Sequence, residues 1–303
     1  MKSRLQGGSA TRRPNVARLN SEQVEFLRRE GYLMVPDVLS PSLFDTLKAE
    51  FDETVDRYAR DTQARGLLDE LFEAEPFERR LACVCEAVED QSDLLRLVNG
   101  KLRTPGMFAV MICPAILDIV ESFIGPEVFV HPQFNARAKM PNQDATVVPW
   151  HQDLGYLEPD AEETFMVNFW IPLVDANRDN GCLEVIAGSH RMPLVHHETG
   201  LGPAGNFKGL TEDRLPPGER VLCPLEVGGV LLIQHKTLHR SLPNTSDHIR
   251  WSLDLRYSDP AMPSGRDSVP GFIARSERDA ACVTRSLEDW QRIMEESGAP
   301  KGA

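Results

Sequence analysis

The chain has 303 residues, 41% of them hydrophobic and 26% charged, which is ordinary for a globular protein and long enough for one large domain. Its net charge of −13 and its pI near 5.1 argue against a nucleic-acid partner, because phosphate binding needs clustered Lys and Arg. We see no apolar run that approaches the ~20 residues of a membrane span, and expect none.

The beginning of the chain is basic. Residues 1–18 contain no acid and five basic side chains: Lys2, Arg4, Arg12, Arg13 and Arg18. Such a start can be an organelle transit peptide or a disordered tail. Gly7, Gly8 and Pro14 would spoil an amphipathic helix and favour a disordered basic tail over residues 1–18.

The six cysteines are scattered and form no Cys-x-x-Cys pair, which argues against a zinc ribbon or a redox motif. In a chain of this size they predict reduced, mostly buried thiols and a cytoplasmic location. A monomer or a homodimer is expected.

The part of the chain from 19 to 125 is predicted to be largely helical. Asn20 should cap a first helix with Gln23 reaching back, and Gly31 should end it. Ser40, followed by Pro41, is expected to cap a longer helix. Further predicted elements are a strand over 32–39 and helices over 62–89 and 115–123.

From about residue 126 the pattern changes to short apolar or alternating runs separated by Pro, Gly, Asn and Asp. This pattern predicts many short strands in a sandwich or barrel. A helical front before a β-rich back predicts a mainly β, α+β domain with helices packed on one sheet. We predict a single domain over 19–303 with three parts: the front 19–125, the core about 126–260 and a C-terminal helical extension 261–303. The polar segment 195–218 is predicted to be an excursion loop.

The stretch "VVPWHQDLGYLEP" places His151 and Asp153 two positions apart. On an extended strand both side chains would share one face and Gln152 would point away. That arrangement suits a metal ion. It also suits a His–Asp pair that satisfies itself in a core, and the pair alone does not decide between the two.

Candidates for a third ligand lie downstream at His235, His239 and His248. Two histidines and one carboxylate on a β scaffold form the facial triad of non-haem Fe(II) oxygenases. For His235 and His248 we favour simpler roles, a residue on the second face of a strand and an exposed turn residue. His196 and His197 lie in the excursion loop and are expected to be solvated.

At this point the chain resembles the phytanoyl-CoA dioxygenase family of Fe(II)- and 2-oxoglutarate-dependent oxygenases. The family has His-x-Asp, a distal His, a Ser two residues after it and an Arg eleven residues after it. The matching positions are His151, Asp153, His239, Ser241 and Arg250. The resemblance covers about residues 20–257 and implies a double-stranded β-helix core (jelly roll, cupin-like).

The resemblance also implies the roles of these residues. His151, Asp153 and His239 would bind Fe(II) and leave positions for 2-oxoglutarate and O2. Arg250, a planar fixed cation, would grip the far carboxylate of 2-oxoglutarate, and the hydroxyl of Ser241 would assist.

Two further cosubstrate contacts are expected. Gln133, on a strand over Gln133–Lys139, would contact 2-oxoglutarate, although the polar face of that strand could equally face water. Trp170 would pack the wall beside the cosubstrate.

The implied activity is a dioxygenase that hydroxylates or otherwise oxidises an aliphatic C–H bond of a small metabolite and releases succinate and CO2. Because Asp153 is retained where halogenating relatives have a small residue, hydroxylation or another oxidation is favoured. The substrate stays open among acyl-CoA, amino acid and specialised metabolite. The acidity of the chain disfavours a CoA ester unless Arg137, Lys139 or Arg256 form a local basic patch.

Two other functions compete with this one. A jelly-roll metalloprotein that uses another metal without 2-oxoglutarate would have no need of Arg250 and Ser241. A non-catalytic β-sandwich binding module with a self-satisfied His–Asp pair would take up no metal.

Overall fold

A computed structural model describes residues 18–266 and 268–299, so the predicted basic tail lies outside the described residues except for Arg18. The helices are α1 Ser21–Glu30, α2 Asp45–Ala64, α3 Phe77–Ala87, α4 Ser92–Val98, α5 Pro105–Met111, α6 Pro114–Ile124 and α7 Leu287–Glu296. The strands are β1 Tyr32–Val35, β2 Val128–Val130, β3 Asn135–Lys139, β4 Val167–Pro172, β5 Leu183–Ile186, β6 Glu198–Leu201, β7 Phe207–Gly209, β8 Arg220–Cys223, β9 Val230–Gln234, β10 His239–Ser241, β11 Arg250–Ser258 and β12 Phe272–Arg275.

The predicted caps of α1 are confirmed. The Asn20 side chain accepts from the Gln23 N–H at 2.9 Å, and the Gln23 side chain accepts from the Asn20 N–H at 3.0 Å. Gly31 ends the helix at φ +80°, where its N–H donates to the Leu27 carbonyl. A Cβ on Gly31 would lie 2.3 Å from Nδ1 of His190, so glycine is required there for space as well as for conformation.

The predictions for the next helices were partly wrong. Ser40 does not cap, because its hydroxyl bonds to that of Ser42 at 2.8 Å and the chain first forms a 3-10 turn, Pro41–Phe44. The helix expected over 62–89 is interrupted: the range contains the end of α2, a non-helical stretch over 65–76, and α3. Gly66 at φ +71° and Pro76, which precedes α3, account for the break.

The segment Pro105–Ile124 is long and apolar enough, by length and composition alone, to span a membrane. This corrects the expectation that the chain has no such run. In the structure the segment is divided between α5 and α6. Met107, Ile116 and Val120 are fully buried in the main core, and 44% of the apolar window is buried. Packing within the domain therefore accounts for these apolar side chains.

Two antiparallel sheets form the β core. The larger has the order β1-β9-β4-β11-β2-β12, with β3 also paired to β11, and the smaller has the order β10-β5-β8. Strands β6 and β7 form a separate hairpin inside the predicted excursion loop. The segment 261–303, predicted as a helical extension, contains β12 in addition to α7.

The register of the larger sheet separates a polar face from an apolar face. Residues directly opposite each other in neighbouring strands share a face. The opposed polar pairs are Lys139 with Arg250, Arg137 with Ser252, Trp170 with Asp254, and Asn168 with Arg256. Trp251 and Leu253 alternate with them and pack into the main core with the helices, where the rings of Trp251 and Phe51 are 4.6 Å apart. The predicted placement of helices on one sheet is confirmed.

Candidate active site

A cavity of about 380 Å³ lies against the polar face of the larger sheet. Strands β3, β4, β10 and β11 line it, together with part of α4 and the segment 143–148. Six of the seven residues predicted for the site line this cavity: His151, Asp153, His239, Ser241, Arg250 and Trp170. One cavity therefore brings together side chains from four distant parts of the chain.

The three predicted metal ligands converge. Nε2 of His151 is 3.7 Å from Oδ1 of Asp153, and Nε2 of His239 is 4.0 Å from Oδ2 of Asp153. Ligand atoms of all three residues lie within 4.8 Å of one another. The backbones of His151 and His239 exchange two hydrogen bonds, of 3.0 and 3.1 Å, which hold the two imidazoles side by side. The group could hold one metal ion.

The local structure around His151 differs from the predicted strand. His151 forms an isolated bridge with His239 of β10 instead of belonging to a strand, and Asp153 begins a 3-10 turn, Asp153–Tyr156. The Leu154 N–H, which donates to the His235 carbonyl at 3.0 Å, fixes this turn. The side chains of His151 and Asp153 still converge, and Gln152 points away as predicted, with its side-chain oxygen accepting from the Val195 N–H at 2.9 Å.

Both imidazoles present Nε2 to the cavity. Nδ1 of His151 is 2.9 Å from the Pro149 carbonyl, and Nδ1 of His239 is 3.0 Å from the Thr237 carbonyl. A carbonyl only accepts, so each Nδ1 carries a hydrogen, and Nε2 is the nitrogen that has a free lone pair when the ring is neutral. Burial, aided by the neighbouring His239, lowers the pKa of His151 to about 3 and keeps that ring neutral. This is the tautomer that a metal requires.

Asp153 is held as a carboxylate. Its Oδ1 accepts from Nη2 of Arg256 at 2.7 Å, and its Oδ2 accepts from the side-chain amide of Asn168. Burial would raise the pKa of Asp153, but the charge of Arg256 and the Asn168 hydrogen bond act against it, so the pKa lies well below its usual range. The donor set, two imidazoles with Nδ1 bonded to a backbone carbonyl and one ionised carboxylate, therefore fits Fe(II).

Arg250 is a buried cation at the other end of the cavity, with 2% of its surface exposed. Its guanidinium lies 5.1 Å above the Trp170 ring and donates from Nη1 to the Ser252 hydroxyl, while its Nε has no partner. Burial lowers the pKa of Arg250 to about 10. Within the described residues, no carboxylate forms an ion pair with Arg250. The residue is thus not a surface arginine, and its charge is available to an anion.

Ser241 lies beside Lys139, which the sequence considered only for a basic patch. The Ser241 hydroxyl oxygen accepts from the Val148 N–H at 3.0 Å and lies 3.0 Å from Nζ of Lys139. Nζ of Lys139 also donates to the Thr146 carbonyl at 2.6 Å. The alternation of Arg137 and Lys139 along β3 was the signal that could have identified Lys139.

Gln133 does not line the cavity, so its predicted contact with 2-oxoglutarate is not supported. Strand β3 begins only at Asn135, and Gln133 precedes it with its N–H bonded to Nδ1 of His131 at 2.9 Å. Its side-chain oxygen is buried without a partner. The residues of β3 that line the cavity are Arg137 and Lys139 with the intervening Ala138.

The remaining histidines have structural or solvent-facing positions. His248 is exposed beside Asp247, as predicted, and His235 is buried outside the cavity lining. His196 is exposed as expected, whereas His197 is buried rather than solvated, which corrects the expectation for that residue. Its Nε2 accepts from the Gln152 N–H at 2.9 Å, and its Nδ1 donates to the Val195 carbonyl at 2.7 Å. His197 thereby braces the backbone between His151 and Asp153.

Comparison with known sequences gives one consistent set of relatives. The family model of phytanoyl-CoA dioxygenase matches residues 27–252. The peroxisomal phytanoyl-CoA dioxygenase of Bos taurus is 25% identical over 256 residues, covering 82% of this chain and 71% of that protein. Phytanoyl-CoA dioxygenase domain-containing protein 1 of Danio rerio is 26% identical over 271 residues, covering 77% of this chain and 87% of that protein.

Comparison with solved structures shows the fold. The apo form of the non-haem monooxygenase ThoJ superposes with a TM-score of 0.60 at 20% identity, over 91% of this chain and 98% of that one. The epimerase SnoN, solved with Fe3+, α-ketoglutarate and nogalamycin RO, superposes with a TM-score of 0.53 at 20% identity, over 88% and 93%. The predicted jelly-roll core with flanking helices is confirmed.

Proposed function

Because the chain belongs to the phytanoyl-CoA dioxygenase family, it is a non-haem iron, 2-oxoglutarate-dependent dioxygenase, and we propose that it oxidises an aliphatic C–H bond of a small metabolite. Hydroxylation, with release of succinate and CO2, is the simplest outcome. When bound, iron and 2-oxoglutarate together supply the activation of O2 that this oxidation needs. The observation that carries the proposal is one cavity with three converging ligand atoms and a buried Arg250 that has no carboxylate partner among the residues described.

In this proposal His151, Asp153 and His239 hold the iron. The two Nδ1–H groups that donate to backbone carbonyls fix the orientation of the imidazoles before any metal arrives. Arg256 and Asn168 do the same for the carboxylate. The three side chains therefore need little rearrangement when the metal binds.

Arg250 and Ser241 hold the far carboxylate of 2-oxoglutarate in this proposal. A planar guanidinium can donate two parallel hydrogen bonds to a carboxylate. Trp170 lies beneath Arg250 and limits the directions in which the guanidinium can turn. Because Arg250 is buried, water screens this attraction little.

A small metabolite fits the charges of the cavity better than a CoA ester does. Arg137 is paired with Asp254, and Arg256 is paired with Asp153, so neither adds free positive charge for a polyphosphate. Lys139 is buried and faces Ser241 rather than solvent. A volume of about 380 Å³ is within the range of small-molecule sites.

The two competing functions explain less of the structure. A metalloprotein that does not bind 2-oxoglutarate gives no reason for the buried charge of Arg250. A non-catalytic module requires a self-satisfied His–Asp pair, yet the separations of 3.7 and 4.0 Å between Nε2 and carboxylate oxygens are too long for hydrogen bonds. Both observations favour the dioxygenase.

Anaerobic reconstitution tests the proposal. Addition of Fe(II) and 2-oxoglutarate should produce the weak visible charge-transfer band of the chelate, and a screen of candidate metabolites should then find one that stimulates succinate release. His239→Ala should abolish the band, whereas His248→Ala, which removes an exposed histidine, should leave it unchanged. The proposal is refuted if the wild type gives no band, or if His239→Ala keeps full succinate release.

A further inference from the structure

We infer that Lys139 is a second cation for the far carboxylate of 2-oxoglutarate, and that it takes up a proton when the cosubstrate binds. The inference rests on the proposed function and concerns a residue that the family pattern of Ser and Arg does not include. Lys139 would act beside Arg250, on the same face of the larger sheet.

The position of Lys139 points to an anion. Only 2% of the residue is exposed, and its Nζ contacts two neutral oxygens, the Thr146 carbonyl at 2.6 Å and the Ser241 hydroxyl at 3.0 Å. Among the residues that the structure describes, no carboxylate forms an ion pair with it. A buried ammonium without a counter-ion is strongly disfavoured. The amine of Lys139 is therefore either neutral or, if it is protonated, stabilised by an anion that binds beside it.

The neighbours of Lys139 place it at the carboxylate end of the cavity. It lies directly opposite Arg250 in the register of β3 and β11, and it shares Ser241 with the proposed carboxylate site. Its stem passes over Gly181, where a Cβ would lie 2.5 Å from Cε of Lys139. Its own carbonyl accepts from the Asn244 amide at 2.9 Å. The amine is thus fixed beside Arg250 rather than free to swing away.

The charges around Lys139 are unfavourable in the absence of a ligand. Arg250 on β11 and Arg137 on its own strand are the charged groups that lower its pKa, and both are cations. The two oxygens that Nζ contacts, on Thr146 and on Ser241 of β10, are neutral. Burial, followed by these two arginines, lowers the pKa of Lys139 to about 6. At neutral pH the amine is mostly unprotonated until an anion restores the charge.

Protonation of Lys139 on binding makes the Kd for 2-oxoglutarate depend on pH. A carboxylate beside Lys139 favours the ammonium and raises its pKa, so the complex binds one more proton than the free enzyme. Above pH 6, the Kd for 2-oxoglutarate should therefore rise with pH, by up to about tenfold per pH unit, until the pKa of the complex is reached.

Calorimetry on the metal-loaded enzyme, without oxygen, tests the inference. Titration of 2-oxoglutarate at pH 7.5 in buffers of different ionisation enthalpy counts the protons, and we expect close to one taken up. 2-Oxopentanoate, which has the same chelating end but a methyl group in place of the far carboxylate, should take up none. Lys139→Met should abolish the uptake and weaken 2-oxoglutarate binding at pH 6.5 by about 10-fold or more, the contribution of one charged hydrogen bond. Lys48→Met, on α2 and away from the cavity, should match the wild type.

The outcomes separate the two proposals. If the wild type binds no 2-oxoglutarate at all, the proposed function fails. If it binds 2-oxoglutarate without taking up a proton, or if Lys139→Met binds with unchanged Kd and unchanged uptake, the role of Lys139 is refuted while the proposed function stands. Should Lys139→Met fail to fold, the wild-type comparison of 2-oxoglutarate with 2-oxopentanoate decides, because equal proton uptake by both ligands overturns the inference.

Discussion

Replacing Arg250 by methionine should leave the ligand-free protein at least as stable as the wild type while it severely weakens the binding of 2-oxoglutarate. The structure shows a guanidinium that is buried, lacks an ion-pair partner within the described residues and keeps Nε unbonded. A buried cation that binds an anionic ligand is expected to lack a partner in the free protein, because its charge becomes favourable only when the anion is present. Stability and binding should therefore change in opposite directions.

The size of each effect can be worked out. Burial lowers the pKa of Arg250 from 12.5 to about 10, which at about 1.4 kcal/mol per pKa unit is about 3 kcal/mol of lost solvation. Below pH 10 Arg250 stays protonated in the folded protein and carries this penalty relative to the unfolded chain, so the whole cost is present at pH 7. Against it stands the cation–π contact with Trp170, worth about 1–2 kcal/mol. Methionine should thus raise the melting temperature by a few degrees. Loss of two charged hydrogen bonds should weaken 2-oxoglutarate binding at least about 100-fold.

Thermal unfolding without ligand, followed by titration with 2-oxoglutarate, measures both effects. Arg80→Met is the matched control, because Arg80 is also buried but donates to Asp56 at 2.6 Å and to the Leu71 carbonyl, away from the cavity. The control should lower the melting temperature and leave 2-oxoglutarate binding intact. The reasoning is refuted if Arg250→Met destabilises the protein as much as Arg80→Met, or if it binds 2-oxoglutarate as the wild type does.

Three further predictions concern the surroundings of the site. Asn168→Ala, which removes a hydrogen bond from Asp153, should weaken metal binding about 10- to 100-fold in a competitive chelator titration; unchanged affinity would contradict the bracing role. Gly181→Ala, at φ +83° and against the stem of Lys139, should lower the unfolding free energy by at least about 1 kcal/mol in urea, and a neutral result would show that the loop can move. Burial lowers the pKa of His131 to about 3, so the unfolded chain binds a proton that the folded protein does not between that pH and 6.5. Stability should fall by about 1.4 kcal/mol per pH unit on acidification in this window, and His131→Gln should remove that part of the slope.

Local signals in the sequence were sufficient where a structure depends on a few neighbouring residues. Asn20, Gln23 and Gly31 act within one helix, and their hydrogen bonds are those predicted. Ser40 had the same type of signal and did not cap, because the chain after it tightens into a 3-10 turn before α2. The residue types alone do not distinguish these two starts.

The candidate metal ligands were predicted for a reason that was partly wrong. Strand alternation was expected to bring His151 and Asp153 together, whereas a 3-10 turn does so. The spacing of two residues survives because an extended residue followed by a tight turn also directs both side chains inward. The pairing of His151 with His239 depends on strand packing between segments far apart in the chain, which only the family resemblance could supply.

The candidate cosubstrate contacts were harder to predict, because they depend on where a strand begins and on which strand it pairs with. Gln133 was chosen on the assumption that the strand starts there, but β3 starts at Asn135. Lys139 and Arg250 are neighbours only through the register of β3 and β11. No pattern within either segment specifies that register, so the sequence could not bring these two cations together.

The net charge of the chain is a poor guide to the charge of its cavity. A formal charge of −13 argues against anionic partners at the surface, yet the polar face of the larger sheet carries more cations than anions. At the metal end Arg256 is neutralised by Asp153, and further along Arg137 is neutralised by Asp254. Only the opposed pair Lys139 and Arg250 is left without a carboxylate among the described residues. In the proposed assignment this order along the sheet orients the cosubstrate, because a dicarboxylate with one end at the iron meets free positive charge only at its other end.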